Sequence, residues 1–179
     1  DIGETVKLED CADIPEQVFE KEEIQYTPEQ EKAITTVSDI LPIVRFTRYH
    51  QLESGINGNP GFGIPVSGIK NDKLERILSL CEENPKIAII ARYNDQLALY
   101  AEALKPLKRS VYLINGETKD RDALIRQADA SKECIVLIQA ACSEGYELPS
   151  IPVIVFASSG FSYKDRKQMC GRFLRLNAL

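Results

Sequence analysis

A single histidine, His50, serves all 179 residues, which leaves little scope for histidine-based acid–base or nucleophilic catalysis. Cysteine is sparse and scattered. Cys11, Cys81, Cys134, Cys142 and Cys170 are odd in number, lie far apart and form no CxxC. That spacing argues against a disulfide framework or a zinc site and for reduced thiols in a cytoplasm. Cys134 sits in an apolar run, where a thiol is a core residue rather than a nucleophile. No stretch of 18 apolar residues occurs, so no transmembrane helix is expected, and no charged-then-apolar leader opens the chain. There is also no Gly-Lys-Ser/Thr phosphate loop and no Asp-Glu-x-x box for a divalent metal. The chain starts on Asp1 without an initiating Met and stops on Asn177-Ala178-Leu179, so it is expected to be a piece of a longer protein.

What is present suits a globular domain with a smaller appendage. Hydrophobic residues make up 44%, enough for a core. The net charge of −5 hides an asymmetry. Residues 1–31 hold 11 acidic and 2 basic side chains (−9), and residues 32–179 hold 16 acidic and 20 basic (+4). From Tyr163 to Arg175 five basic residues face only Asp165. The local sign at that end favours an anion.

Along the chain, residues 1–13 are acidic and aperiodic, an extended lead-in. Pro15 to Tyr26 contains Val18, Glu20, Glu22, Ile24 and Tyr26, a loose strand-like pattern with charges on one side. Thr27-Pro28-Glu29-Gln30 reads as a helix start, with Thr27 as N-cap, Pro28 at N1 and Gln30 closing a capping box. This helix is expected to reach Val37 or beyond. Pro42 interrupts it, and a second helical piece carries Ile43, Phe46 and Leu52. Residues 53–69, with five glycines and two prolines, predict a loop or short hairpin, a candidate boundary between an extension at 1–60 and a main domain at 61–179.

From Lys70 the rhythm changes. Helical periods at Leu74–Cys81, Leu97–Leu104 and Leu124–Ala128 alternate with short apolar strands at Ile87–Ala91, Val111–Ile114, Cys134–Ile138 and Val153–Phe156. Such alternation predicts an α/β fold: a parallel sheet with helices on both faces, preceded by a small helical extension. Ligands of such sheets sit at the C-terminal ends of the strands. The stretches to watch are Arg92–Asp95, Asn115–Thr118, Gln139–Pro149 and Ala157–Tyr163.

The last helix is expected over Tyr163–Arg175. Gln168, Arg172 and Arg175 are spaced i, i+4, i+7 and share one face, beside an apolar stripe of Met169, Phe173 and Leu176. A glutamine and two guanidinium groups on one face form the donor set that phosphate oxygens accept. Gly171 removes a side chain next to Arg172 at a helix-propensity cost of about 1 kcal/mol. Taken alone, such a helix is most simply a solvated basic face.

The four strand-end stretches, in order, resemble motifs of the second RecA-like domain of superfamily 2 helicases and translocases. Gln168-Met-Cys-Gly-Arg-Phe-Leu-Arg175 resembles the family's Gln-x-x-Gly-Arg-x-x-Arg motif at every fixed position. Lys86-Ile-Ala-Ile-Ile-Ala-Arg-Tyr is similar to motif IV. Asn115-Gly-Glu-Thr-Lys-Asp-Arg121 is similar to the segment after the next strand, and Ile138-Gln-Ala-Ala-Cys-Ser-Glu-Gly-Tyr-Glu-Leu148 to motif V. The resemblance covers about residues 70–179. More weakly, Pro15 to Gly55 is similar to the lead-in of the SWI/SNF-like branch. Two positions depart from the pattern: Gln139 stands where a Ser or Thr is usual, and Glu147 where an Asp or Asn is usual.

The resemblance implies a RecA-like sheet and a role as the second motor domain of an ATP-dependent DNA helicase or translocase. It implies Arg172 and Arg175 as arginine fingers, with Gln168 orienting the γ-phosphate or the attacking water. It implies Gly145, Glu147 and Gly171 on the nucleotide cleft. Arg92, Tyr93, Asn115 and Ser143 would contact a nucleic-acid backbone. Arg121 reads as structural. ATP with Mg2+ would be held mainly by an N-terminal RecA-like domain of the same polypeptide, DNA would be the partner, and no membrane is implied. Two other readings stay open: a helicase-like module that only docks nucleic acid or protein, and an unrelated doubly wound enzyme.

Overall fold

A computed structural model of the chain describes residues 17–37, 41–59, 64–142, 144–158, 160 and 162–173. The first helix, α1 (Pro28–Thr35), opens on the expected capping box. The Gln30 N–H donates to Thr27 Oγ1 at 3.3 Å and the Thr27 N–H to Gln30 Oε1 at 3.1 Å. Both residues are buried, and they reach beyond their own helix. Gln30 Nε2 donates to the Leu52 carbonyl at 3.0 Å and Thr27 Oγ1 to the Lys70 carbonyl at 2.8 Å. Helix α1 stops before Val37. The hydroxyls of Thr35 and Thr36 bond back to the carbonyls of Lys32 and Ala33, and these β-branched residues close the last turn.

The second helix, α2 (Pro42–Glu53), begins at the proline expected to separate the two pieces. Strands β1 (Ile56–Asn59) and β2 (Ile64–Gly68) follow as an antiparallel hairpin with a register shift between Asn57 and Asn59. The expected boundary at 60/61 lies outside the described residues, in the interval between these two strands. The strand expected over Pro15 to Tyr26 is absent from its described part, residues 17–26, which form no regular element. Val18 and Phe19 are exposed, and the segment is fastened by side chains instead. Arg76 donates to both carboxylate oxygens of Glu22 at 2.6 and 2.7 Å. Alternation specifies a face; a strand also needs a neighbouring backbone to pair with.

The main sheet is built as α3 (Asp72–Glu83), β3 (Lys86–Ala91), α4 (Asn94–Leu104), β4 (Val111–Ile114), α5 (Arg121–Ala130), β5 (Cys134–Gln139), β6 (Val153–Phe156) and α6 (Tyr163–Gly171). Its four strands are parallel in the order β4-β5-β3-β6. The central strands β3 and β5 divide their side chains between two cores with period two. Ile87, Ile89, Ala91, Ile135 and Leu137 pack with Ile77, Cys81, Leu97, Tyr100 and Leu104 of α3 and α4. Ala88, Ile90, Val136 and Ile138 pack with Ile125 and Ala128 of α5 and with Met169 and Phe173 at the last helix. With both faces covered, the strands read as unbroken apolar runs.

Candidate functional site

The parallel sheet sends the ends of β4, β5, β3 and β6 to one edge, in that spatial order. At β3 and β6 the backbone is tied by a buried polar chain. The Arg92 N–H donates to Ser158 Oγ at 2.9 Å, Ser158 Oγ donates to Gln96 Oε1 at 2.5 Å, and Gln96 Nε2 donates to Tyr100 Oη at 2.7 Å. Gln96 is wholly buried, so its amide is worth keeping only because each end has a partner. Sequence reasoning missed it. The available signal was an amide four residues before Tyr100 on the apolar stripe of α4.

This chain of bonds holds Arg92 and Tyr93, both half-buried, at the strand end. The Arg92 guanidinium lies 5.7 Å from the Tyr93 ring centroid. The Tyr93 hydroxyl and His50 Nδ1 are 3.0 Å apart, the rings meeting edge to face at 60°. Helix α2 thus reaches the loop after β3. Burial holds His50 below the ordinary imidazole range, with Arg92 and Lys73 adding to the effect and Glu53 opposing it. Burial pushes the Tyr93 phenol up, and Glu53 adds to this against Arg92.

At the end of β4, Asn115 shapes its own turn. Its Oδ1 accepts from the Glu117 N–H at 3.1 Å, and its N–H donates to Thr118 Oγ1 at 2.9 Å. Gln139, the departure at the start of motif V, ties this turn to β5: its Oε1 accepts from the Gly116 N–H at 3.2 Å. Ser143 lies outside the described residues.

The segment after β5 bends back at Gly145, where φ is +80°, a region that favours glycine. Tyr146 and Leu148 are buried beneath it and Glu147 is exposed. The Leu148 N–H donates to the Arg172 carbonyl at 3.0 Å, which sets the Gly145–Glu147 segment beside the end of α6. Here the structure corrects the expected helix over Tyr163–Arg175: α6 ends at Gly171. The Arg172 N–H bonds to the Cys170 and Met169 carbonyls, tightening the last turn, while its own carbonyl leaves the helix ladder for Leu148. Arg172 keeps helical dihedrals, φ −75° and ψ −20°, so Gln168 and Arg172 still follow one another at i, i+4, both half-buried. A side chain at Gly171 would meet nothing within 4 Å. Arg175 and Leu176 lie outside the described residues, while Met169 and Phe173 are core residues as expected.

The buried thiols of Cys81, Cys134 and Cys170 are packing groups. Burial pushes all three pKa values up, that of Cys81 to about 11. Among the described residues, no group of three His, Cys, Asp or Glu could hold a metal ion, and no helix is long and apolar enough to cross a membrane. At the opposite end of the sheet, Arg109 gathers the carbonyls of Cys81, Asn84, Pro85 and Cys134, a structural role that sequence reasoning did not find.

The model of the helicase conserved C-terminal domain matches residues 69–177. The chain belongs to that family. Its fold is shared by solved structures of low identity. The crystal structure of the C-terminal part of the Fun30 ATPase domain superposes with a TM-score of 0.57 at 18% identity, covering 62% of this chain and 38% of that one. The SWI2/SNF2 ATPase C-terminal domain of Sulfolobus solfataricus gives 0.55 at 21% identity, covering 75% and 69%. UvsW of T4 gives 0.51 at 12% identity, covering 80% and 27%. No curated protein matches the chain. The RecA-like sheet and the helicase C-terminal domain implied by the motifs are therefore borne out. This helicase C-terminal domain spans well under half of the Fun30 fragment it resembles.

Proposed function

We propose that this helicase C-terminal domain is the second motor domain of an ATP-dependent DNA helicase or translocase, completing an ATP site with an N-terminal RecA-like domain of the same polypeptide. The observation that supports it most is the Leu148–Arg172 backbone bond, which ties the segment after Gly145 to Arg172 at the end of α6. The donors of Gln168 and Arg172, next to the open position at Gly171, suit phosphate oxygens. In this reading ATP approaches here and its Mg2+ belongs with the other domain. Held there, the metal would supply positive charge to offset that of the phosphates, while Gln168 and Arg172 would face them from this domain.

Arg172 and Arg175 then act as arginine fingers. In phosphoryl transfer, charge spreads over the equatorial oxygens, and a positioned guanidinium contributes a factor of about 10³–10⁵. Gln168 orients the γ-phosphate or the attacking water. Arg92, Tyr93, Asn115 and Ser143 form part of a nucleic-acid track, and their backbone contacts are salt-sensitive and largely blind to sequence. Closure of the two domains around nucleotide and its release drive movement along DNA. The setting is cytoplasmic.

ATP hydrolysis by the full-length protein, with double-stranded DNA, single-stranded DNA and RNA as stimulants, tests this. Turnover is expected with DNA. Arg172→Ala should keep ATP and DNA binding and lose turnover; wild-type turnover in that variant contradicts the assignment. A full-length protein that binds nucleic acid without hydrolysing ATP is instead the docking module.

A further inference from the structure

Arg121, the first residue of α5, meets the segment after β5 at two points. Its guanidinium carbon lies 5.4 Å from the centroid of the Tyr146 ring. A Cβ built on Gly145 would come within 2.8 Å of its Nη2. Gly145 stands at φ +80°, a conformation that favours glycine, and an added side chain there would push the end of Arg121 aside. Beneath the guanidinium the Tyr146 ring joins the core with Met169 and Phe173, and its buried hydroxyl has no hydrogen-bond partner among the described residues. Two residues on, the Leu148 N–H holds the Arg172 carbonyl. On its other side Arg121 follows directly on Asp120, which caps α5 through the Ala123 N–H at 3.1 Å and closes the loop that starts at Asn115.

We infer that Arg121 is a positioning residue: stacked on Tyr146 and seated over Gly145, it sets the backbone that carries Glu147 and anchors Arg172, and so aligns the arginine finger from the neighbouring loop. This rests on the function proposed above. The part needed is a planar cation over a ring face. A lysine keeps the charge but loses the plane, so Arg→Lys is not a conservative change at such a site. The ring, and not its hydroxyl, is what Arg121 uses. Tyr146→Phe keeps the stacking face and removes only a buried hydroxyl that has no partner among the described residues.

The test uses the full-length protein with DNA as stimulant. Arg121→Lys is expected to lower kcat for ATP by roughly 10- to 100-fold, the scale of an ångström-sized misplacement at a reacting centre. KM for ATP and the DNA Kd should stay within about two-fold, because Arg121 contacts neither ligand and the finger it aligns acts in the transition state. Tyr146→Phe should keep wild-type kcat. Tyr146→Leu should lose kcat as Arg121→Lys does, and the double variant should be no worse than the poorer single, since both act through one contact. Should Tyr146→Leu fail to fold, the Arg121→Lys and Tyr146→Phe pair still decides. Wild-type kcat in Arg121→Lys overturns the inference, as does a loss that follows the unfolded fraction, or additive losses in the double variant. Arg172→Ala serves as the control. If it hydrolyses ATP normally, the proposed function itself fails; if it is inactive while Arg121→Lys is normal, only the role of Arg121 fails.

Discussion

Ser158 Oγ sits between the Arg92 N–H at 2.9 Å and Gln96 Oε1 at 2.5 Å, accepting from one and donating to the other. One hydroxyl therefore joins the ends of β3 and β6 to helix α4, at the edge where the candidate nucleic-acid residues stand. Ser158→Ala leaves the buried Gln96 oxygen without its donor. Loss of a buried partner of this kind costs about 1–3 kcal/mol. Urea unfolding should show a lower midpoint with an unchanged slope; an unchanged midpoint would mean that water replaces the hydroxyl.

Gly171 is the reverse case. Nothing lies within 4 Å of a Cβ placed there, and the residue ends a helix. Gly171→Ala should stabilise the isolated domain by about 0.5–1 kcal/mol, through helix propensity and a smaller unfolded-state entropy. Full-length Gly171→Ala should nonetheless hydrolyse ATP more slowly, because the proposed cleft brings phosphate to that open position. A raised melting temperature with full turnover would show that the glycine serves no ligand.

Thr27 caps α1 and also reaches the Lys70 carbonyl, so it joins the lead-in to the start of the main domain. Removing an N-cap hydroxyl costs about 1 kcal/mol. Thr27→Ala should lose at least that much in equilibrium unfolding, and Thr27→Ser should recover most of it. A neutral Thr27→Ala would show that neither bond matters to folding.

The pH dependence of this domain should carry a signature of His50. Its folded pKa is lowered from the unfolded value of 6.5, chiefly by burial and next by Arg92. The unfolded chain therefore binds the proton more readily, and stability rises with pH across that window. The contribution is present in full above the unfolded value and is lost as pH falls through the folded one. With only one histidine, the imidazole resonances can be followed without ambiguity. They should titrate below the ordinary value, and stability should fall on going from about pH 7.5 to about pH 5.5 by less in His50→Gln than in the parent. Titration at or above 6.5 would contradict the half-buried contact with Tyr93.

Much of the architecture was legible before any coordinates. Val111–Ile114 and Val153–Phe156 form strands with the bounds their apolar runs predict, because a strand covered on both faces must be apolar throughout. The Thr27–Gln30 box formed as written, because capping is a contest between neighbours along the chain. The alternation over residues 17–26 misled for the same reason, since a local pattern carries no information about which backbone is free to pair. Helix α6 was placed correctly but ended early, because the competitor for the Arg172 carbonyl, the Leu148 N–H, comes from a distant part of the chain.

By itself, then, the order of residues determined the parallel α/β class and the strands, which follow from periodicity and capping over a few turns. The motif at Gln168–Arg175 was legible there as a resemblance to the family. Tertiary structure decided the strand order β4-β5-β3-β6, the meeting of His50 with Tyr93, the Gln96–Ser158 link and the seat of Arg121 on Tyr146. Each of these joins residues far apart in sequence. Their proximity depends on how the two cores close over the sheet, and no local pattern encodes it.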